Sequence, residues 1–144
     1  MKVRACRPAD WPGVLALLRQ LWPGTPLDEA ACRRTFRRGL RSRTQVYLCA
    51  VANGKVVGFG TLSFERTFWQ AGKTEAEIDE MVVDESYRER GIGAQLLARL
   101  LAVARRRGCR AVELKSAGHR VDAHRFYQRH GFALLPTRLF ARKP

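Results

Sequence analysis

A chain of 144 residues that is 46% hydrophobic carries enough apolar material for a core of its own, and a single domain over residues 1–144 is the expectation. Lys and Arg number 27 against 13 Asp and Glu, a formal net charge of +14. That excess suits an anionic ligand; nucleic acid is the less favoured partner, because no stacking aromatics are interleaved with the basic residues. No apolar run approaches the ~20 residues of a membrane span, and the N-terminal residues lack the apolar segment of a signal peptide, so a cytoplasmic chain with no membrane partner is expected.

In chain order, Lys2 to Arg7 reads as a strand ended by Pro8. Asp10 then looks like the N-cap of a helix whose apolar face is Val14, Leu15, Leu17, Leu18 and Leu21, and which stops by Pro23. A turn cluster follows, and Asp28 opens a second helix to about Leu40, with Arg33, Arg34, Arg37, Arg38 and Arg41 as a solvated charged face. Gln45 to Ala52 and Lys55 to Phe64 flank Asn53-Gly54, a strong hairpin signal. Beyond them Phe68 and Trp69, in a polar loop, either wall a ligand pocket or fold back on the sheet edge. Cys6, Cys32, Cys49 and Cys109 are widely spaced, without a C-x-x-C pair or a histidine at ligand spacing; reduced, mainly buried thiols and no metal site are expected.

Glu75 to Arg107 is the stretch on which the rest depends. It reads as a strand (Glu75 to Val83), a polar turn around Arg88-Glu89-Arg90-Gly91-Ile92-Gly93-Ala94, and a leucine-rich helix whose Ile92, Leu96, Leu100 and Val103 recur at helical spacing. A helix leaves its first N–H groups unpaired, and the macrodipole makes that end positive. Gly91 and Gly93 remove side chains that would keep an anion off those amides, and Arg88 and Arg90 add full charge. The turn is therefore a candidate pyrophosphate seat. Gly108 ends the helix, Arg110 to Lys115 is a further strand, and a short helix places Ala123, Phe126, Tyr127 and His130 on one face. Phe132 to Leu135 and Thr137 to Arg142 read as a closing hairpin around Pro136.

Arg-x-x-Gly-x-Gly between strand and helix, the strand Ile78-Asp79-Glu80-Met81-Val82-Val83, and the segment Ala123-His124-Arg125-Phe126-Tyr127-Gln128-Arg129-His130-Gly131-Phe132 together resemble the GNAT N-acetyltransferase superfamily. The resemblance covers the chain from about Val46 onward. It implies an α/β (α+β) fold with a mixed, mostly antiparallel sheet flanked by helices, and acetyl-CoA as cosubstrate. It implies coenzyme contacts from the backbone of Met81, Val82 and Val83 and from the turn, through Arg88, Arg90, Gly91, Ile92, Gly93 and Ala94. It also makes Tyr127 the expected general acid at the departing thiolate. Where many members carry an asparagine ahead of the helix, this chain has Ala117-Gly118-His119-Arg120, which leaves one coenzyme hydrogen bond without its usual donor.

Acetyl transfer to an amine also needs a base. Glu77 and Glu80 are level candidates by resemblance. Strand alternation sets Glu77 and Asp79 on one face and Glu80 on the other unless a bulge intervenes. Asp122-Ala123-His124-Arg125-Phe126-Tyr127 is similar to bacterial aminoalkylphosphonate N-acetyltransferases, which implies a small, anionic amine acceptor, with His124 a weak substrate contact and Phe68 and Trp69 a lid. A protein N-terminus or lysine is the alternative acceptor, and a non-catalytic basic module on the same fold the alternative outside enzymes. The oligomeric state is open, a homodimer included.

Overall fold

The computed structural model describes residues 1–68 and 71–144, so Trp69 lies outside the described residues. It runs β1 (Lys2–Ala5), a 3-10 turn (Pro8–Asp10), α1 (Trp11–Leu21), α2 (Glu29–Leu40), β2 (Gln45–Ala52), β3 (Lys55–Arg66), β4 (Thr74–Val83), a 3-10 turn (Glu85–Tyr87), α3 (Ile92–Arg106), β5 (Val112–Leu114) and α4 (Val121–Arg129). The five-stranded sheet keeps chain order, β1-β2-β3-β4-β5. Its first three pairings are antiparallel and only β4 with β5 is parallel, the mixed, mostly antiparallel sheet expected.

Local chemistry accounts for most boundaries. Asn53 (φ 50°) and Gly54 (φ 74°) take the left-handed conformation of a two-residue hairpin turn, which fixes β2 against β3. Asp28 accepts from the Ala31 N–H at 2.9 Å and caps α2, whose four arginines, with Arg41 just past its end, are exposed as expected. At the end of α3, Gly108 (φ 70°) bonds back to the Arg105 carbonyl and Cys109 to that of Ala104, a Schellman closure.

Two apolar layers sandwich the sheet. On one face α1 and α2 bring Trp11, Val14, Leu17 and Phe36 onto Cys49, Phe59 and Val82. On the other, α3 lays Leu96, Leu97, Leu100 and Ala104 on Leu62, Phe64, Ala76 and Ile78, and Phe126, Tyr127 and Phe132 pack on the same cluster. The helix comes this close because β3 has glycine beneath it: a Cβ at Gly60 would sit 2.9 Å from Leu100 Cδ1.

Three expectations fail for stated reasons. Asp10 does not cap α1; its carboxylate is claimed by the Arg4 guanidinium at 2.7 and 2.9 Å and by the Arg7 N–H at 2.6 Å, since an almost buried carboxylate is better satisfied by a charged partner than by a helix amide. Those bonds with Arg4, in spite of burial, hold it below the usual carboxylate range. Cys6 and Cys49 bring their sulfurs beside the same carboxylate, and both thiols are free. The closing hairpin does not form either: past α4 no strand is assigned, and Leu134, Leu135, Leu139 and Phe140 are exposed. The strand pattern is weak there, since Leu139, Phe140 and Ala141 are apolar in succession and do not alternate with polar residues. The β5 strand is also shorter than the expected Arg110 to Lys115, because it pairs β4 only over Ala76, Glu77 and Ile78.

Candidate active site

That short pairing opens the sheet. Past Ile78 the β4 edge that faces β5 has no strand partner among the described residues, and the gap becomes a cavity of about 410 Å³. Ile78, Asp79 and Met81 form one wall, Leu114 to Ala117 with His119 and Arg120 the opposite one, and Tyr127 enters from α4. Leu21, Trp22 and Pro23, at the end of α1, close it on the third side.

A bulge sets how the carboxylates of β4 face, and of Glu77, Asp79 and Glu80 only Asp79 is among the residues lining the cavity. Gly60 pairs with Met81 but Leu62 with Ile78, so Thr61 alone opposes both Asp79 and Glu80. Thr61 is buried, and its hydroxyl accepts from the Glu80 N–H at 3.0 Å while donating to Glu80 Oε2 at 2.5 Å. Val82 then points to the α1 and α2 layer, whereas Met81 and Val83 pack toward α3. Simple alternation is thereby broken: Glu80 joins Asp79 and Glu77 on the α1 and α2 side instead of standing opposite them.

The three carboxylates are electrostatically unequal. Burial pushes Glu80 above the ordinary glutamate range, Thr61 opposing and Asp79 reinforcing the shift. Asp79 is more exposed and is also pushed up, by its partial desolvation and by Glu77, against a Ser63 hydrogen bond and Lys115. Glu77 is paired with the Lys115 ammonium at 3.0 Å. On the other side of the gap, burial raises the Tyr127 phenol above its ordinary value, with Arg120 opposing, so it is protonated at neutral pH.

Below the gap lies the glycine turn. Glu89 (φ 61°) and Gly91 (φ 75°) are both left-handed, and Gly91 is the N-cap of α3. The first bond of α3 runs from the Gln95 N–H to the Gly91 carbonyl, so the amides ahead of Gln95 have no partner within the helix. A Cβ at Gly91 would meet nothing within 4 Å, which leaves the cradle open, whereas one at Gly93 would touch Phe126 at 3.4 Å. Arg90 lies 5.1 Å over the Tyr87 ring. Arg88 does more than supply charge, since its Nε donates to the Val83 carbonyl at 3.2 Å and ties the turn to the end of β4.

Other expected contacts fall elsewhere. His124 Nε2 bonds the Ala117 carbonyl at 2.9 Å, so it pins the loop before α4 and is not among the cavity-lining residues. Phe68 is 105% exposed at the tip of the β3 and β4 hairpin, which runs past the cavity to the pair Arg66 and Thr74; it does not line the cavity. The end of α1 takes the place expected for it. Trp22, Lys115, Ser116 and Arg120 carry no site role in the sequence reading, and Asp79 stands in the family-like strand beside the two preferred glutamates. One signal does single out Ser116: its Oγ is buried with no hydrogen-bond partner among the described residues, and buried hydroxyls are nearly always bonded.

The sequence profile of the Acetyltransferase (GNAT) family matches residues 11–132. The chain belongs to that family. It is an acyltransferase, and acetyl coenzyme A is its cosubstrate. It is similar to a glucosamine 6-phosphate N-acetyltransferase of Trypanosoma brucei brucei, 31% identical over 92% of this chain and 88% of that one. An aminoalkylphosphonate N-acetyltransferase of Salmonella typhimurium is 36% identical over 91% of this chain and 84% of that one. The solved structure of a Trypanosoma brucei acetyltransferase superposes with a TM-score of 0.77 at 27% identity and covers 99% of each chain. No described helix is long and apolar enough to cross a membrane.

Proposed function

We propose that this family member acetylates the primary amine of a small acceptor that also bears a phosphate or phosphonate group. The carrying observation is that a single cavity is lined by a carboxylate, Asp79, by two cations, Lys115 and Arg120, and by the Tyr127 phenol. An acceptor with an ammonium at one end and an anion at the other matches that lining. Two relatives support the reading, since both names describe amines carrying such an anion.

In the proposed reaction the pantetheine arm lies along the free β4 edge at Met81, Val82 and Val83, and the pyrophosphate sits on the amides of Gly91, Ile92, Gly93 and Ala94, beside Arg88 and Arg90. Ser116 Oγ offers the cavity a hydrogen bond in the region where the asparagine is missing. The amine nitrogen forms its bond to the thioester carbonyl carbon and loses a proton to Glu80, directly or through water. The C–S bond then breaks, and Tyr127 protonates the departing sulfur. Glu77, held by Lys115, positions the cavity wall.

The test is thiol release from acetyl coenzyme A with matched pairs of amines, 2-aminoethylphosphonate against ethanolamine and glucosamine 6-phosphate against glucosamine. One or two charge-assisted hydrogen bonds, at about 1.5–3 kcal/mol each, predict kcat/KM about 10²-fold higher for the anionic member of at least one pair. Equal values in both pairs would sink the anionic acceptor.

The cofactor half has its own prediction. A valine at Gly91 must hold φ near 75°, which costs about 1–3 kcal/mol and draws the turn away from the phosphates. Gly91→Val is expected to weaken coenzyme A binding about 10–100-fold by calorimetry, and Arg88→Ala less, because it loses one cation and one tether. An unchanged affinity in Gly91→Val would remove the turn from the site.

A further inference from the structure

A second cavity, of about 480 Å³, lies beside β1, at the opposite edge of the sheet from the gap between β4 and β5. Its walls are Cys6, Arg7 and Pro8, on the link from β1 to α1, and Arg37, Leu40 and Arg41, at the end of α2. It shares no lining residue with the cavity at β4. The Cys6 N–H bonds the Tyr47 carbonyl at 2.9 Å and its side chain joins the core layer under α1 and α2, so this part of the wall is fixed by the sheet and the core.

Three guanidinium side chains line this cavity and no carboxylate does. Arg7, Arg37 and Arg41 have no ion pair among the described residues, and Asp10, the acid nearest to Arg7 in the chain, has its carboxylate occupied by Arg4 at 2.7 and 2.9 Å. Such a cluster is unfavourable without a counter-charge: Arg37 and Arg41 stand one helical turn apart, where like charges repel. The negative end of the α2 dipole favours cations in its last turn, which accounts for Arg37 and Arg41 alone. It does not account for Arg7, which a separate element brings to the same space.

We infer that this cavity binds a small molecule that carries a di- or triphosphate. A carboxylate satisfies one guanidinium fork, whereas an oligophosphate has terminal oxygens for all three and a charge that balances theirs. A lone phosphate would leave most of a space of about 480 Å³ empty. Pro8, Leu40 and the Cys6 side chain give the rest of that space an apolar wall for the ligand's organic part, the combination of apolar lining and a few placed polar groups that small-molecule sites use. The site is separate from the glycine turn at the start of α3, and it does not depend on which acceptor is acetylated.

Inorganic tripolyphosphate is the probe, titrated by calorimetry into the full chain carrying one equivalent of coenzyme A, so that the glycine turn is already filled. One further equivalent is expected to bind, with Kd below about 100 μM at about 0.15 M salt. Arg37→Gln with Arg41→Gln removes two of the three forks from exposed positions; it is expected to raise that Kd at least about 10-fold while helix content and coenzyme A affinity are retained. Arg33→Gln with Arg34→Gln takes the same charge from the same helix at residues that do not line the cavity, and should shift the Kd less than about twofold. Absence of a second binding event would overturn the inference. So would equal weakening in the two double variants, which would make binding a property of net charge. A Kd that responds to Arg88→Ala and not to the pair on α2 would place the anion on the glycine turn and would overturn it as well.

Discussion

Tyr127→Phe is expected to lower turnover about 10²–10⁴-fold while leaving the fold and coenzyme affinity unchanged. The ring is held by edge-to-face contacts with Phe126 at 5.3 Å and Phe132 at 5.7 Å, and phenylalanine keeps both. What the change removes is the phenolic proton. Burial holds that phenol above its ordinary pKa, so in the native enzyme it is a filled proton donor across neutral pH. The role can be separated from a merely structural one by varying the leaving group. An acyl donor with a more acidic thiol needs less help at sulfur, so the variant's deficit should shrink on that donor. An undiminished kcat where chemistry limits the rate would return Tyr127 to the apolar cluster and leave the thiolate to be protonated by solvent.

The parts of this molecule that were legible in the sequence are those whose cause is local. Asn53-Gly54 names its own turn, Asp28 caps a helix three residues away, and Gly108 closes α3 through bonds to carbonyls of the preceding turn. The glycine turn belongs to this class, because Gly91 and the start of α3 are adjacent. Features settled by distant partners were misread. Asp10 has the composition of a cap, but Arg4, brought alongside by β1, claims its carboxylate. The bulge at Asp79 and Glu80 is pinned by Thr61, nineteen positions from Glu80, and nothing in β4 itself announces it. The cavity wall is of the same kind: Trp22, Asp79, Lys115 and Arg120 share no spacing and meet only because β5 leaves β4 after Ile78. The tail fails in the opposite sense: its apolar residues around Pro136 suggest a hairpin, and no strand is assigned there.

The bulge also changes the comparison of the two glutamates that stand level in the sequence. Both lie on the α1 and α2 side of the sheet, so geometry no longer separates them by face, but their electrostatics differ. Glu77 is neutralised by Lys115, a pair of which the lysine is largely solvent-exposed and the glutamate partly so, worth little to stability but enough to occupy the carboxylate. Glu80 is desolvated and raised, which brings its pKa toward working pH and makes it a better acceptor of a proton. A base works in its deprotonated form, so kcat/KM should climb as pH rises through the raised pKa and level off above it. Glu80→Gln keeps the size and the bond from Thr61 but cannot titrate; it is expected to flatten this acidic limb and to lower kcat about 10²–10³-fold. Glu77→Gln should retain the limb and act mainly on KM, because it releases Lys115 beside the cavity. The acceptor's own ammonium also titrates, so the profiles need two acceptors of different amine pKa. If the limb moves with the acceptor and survives both substitutions, neither glutamate is the base, and Asp79, the remaining raised carboxylate and one that lines the cavity, becomes the group to replace next.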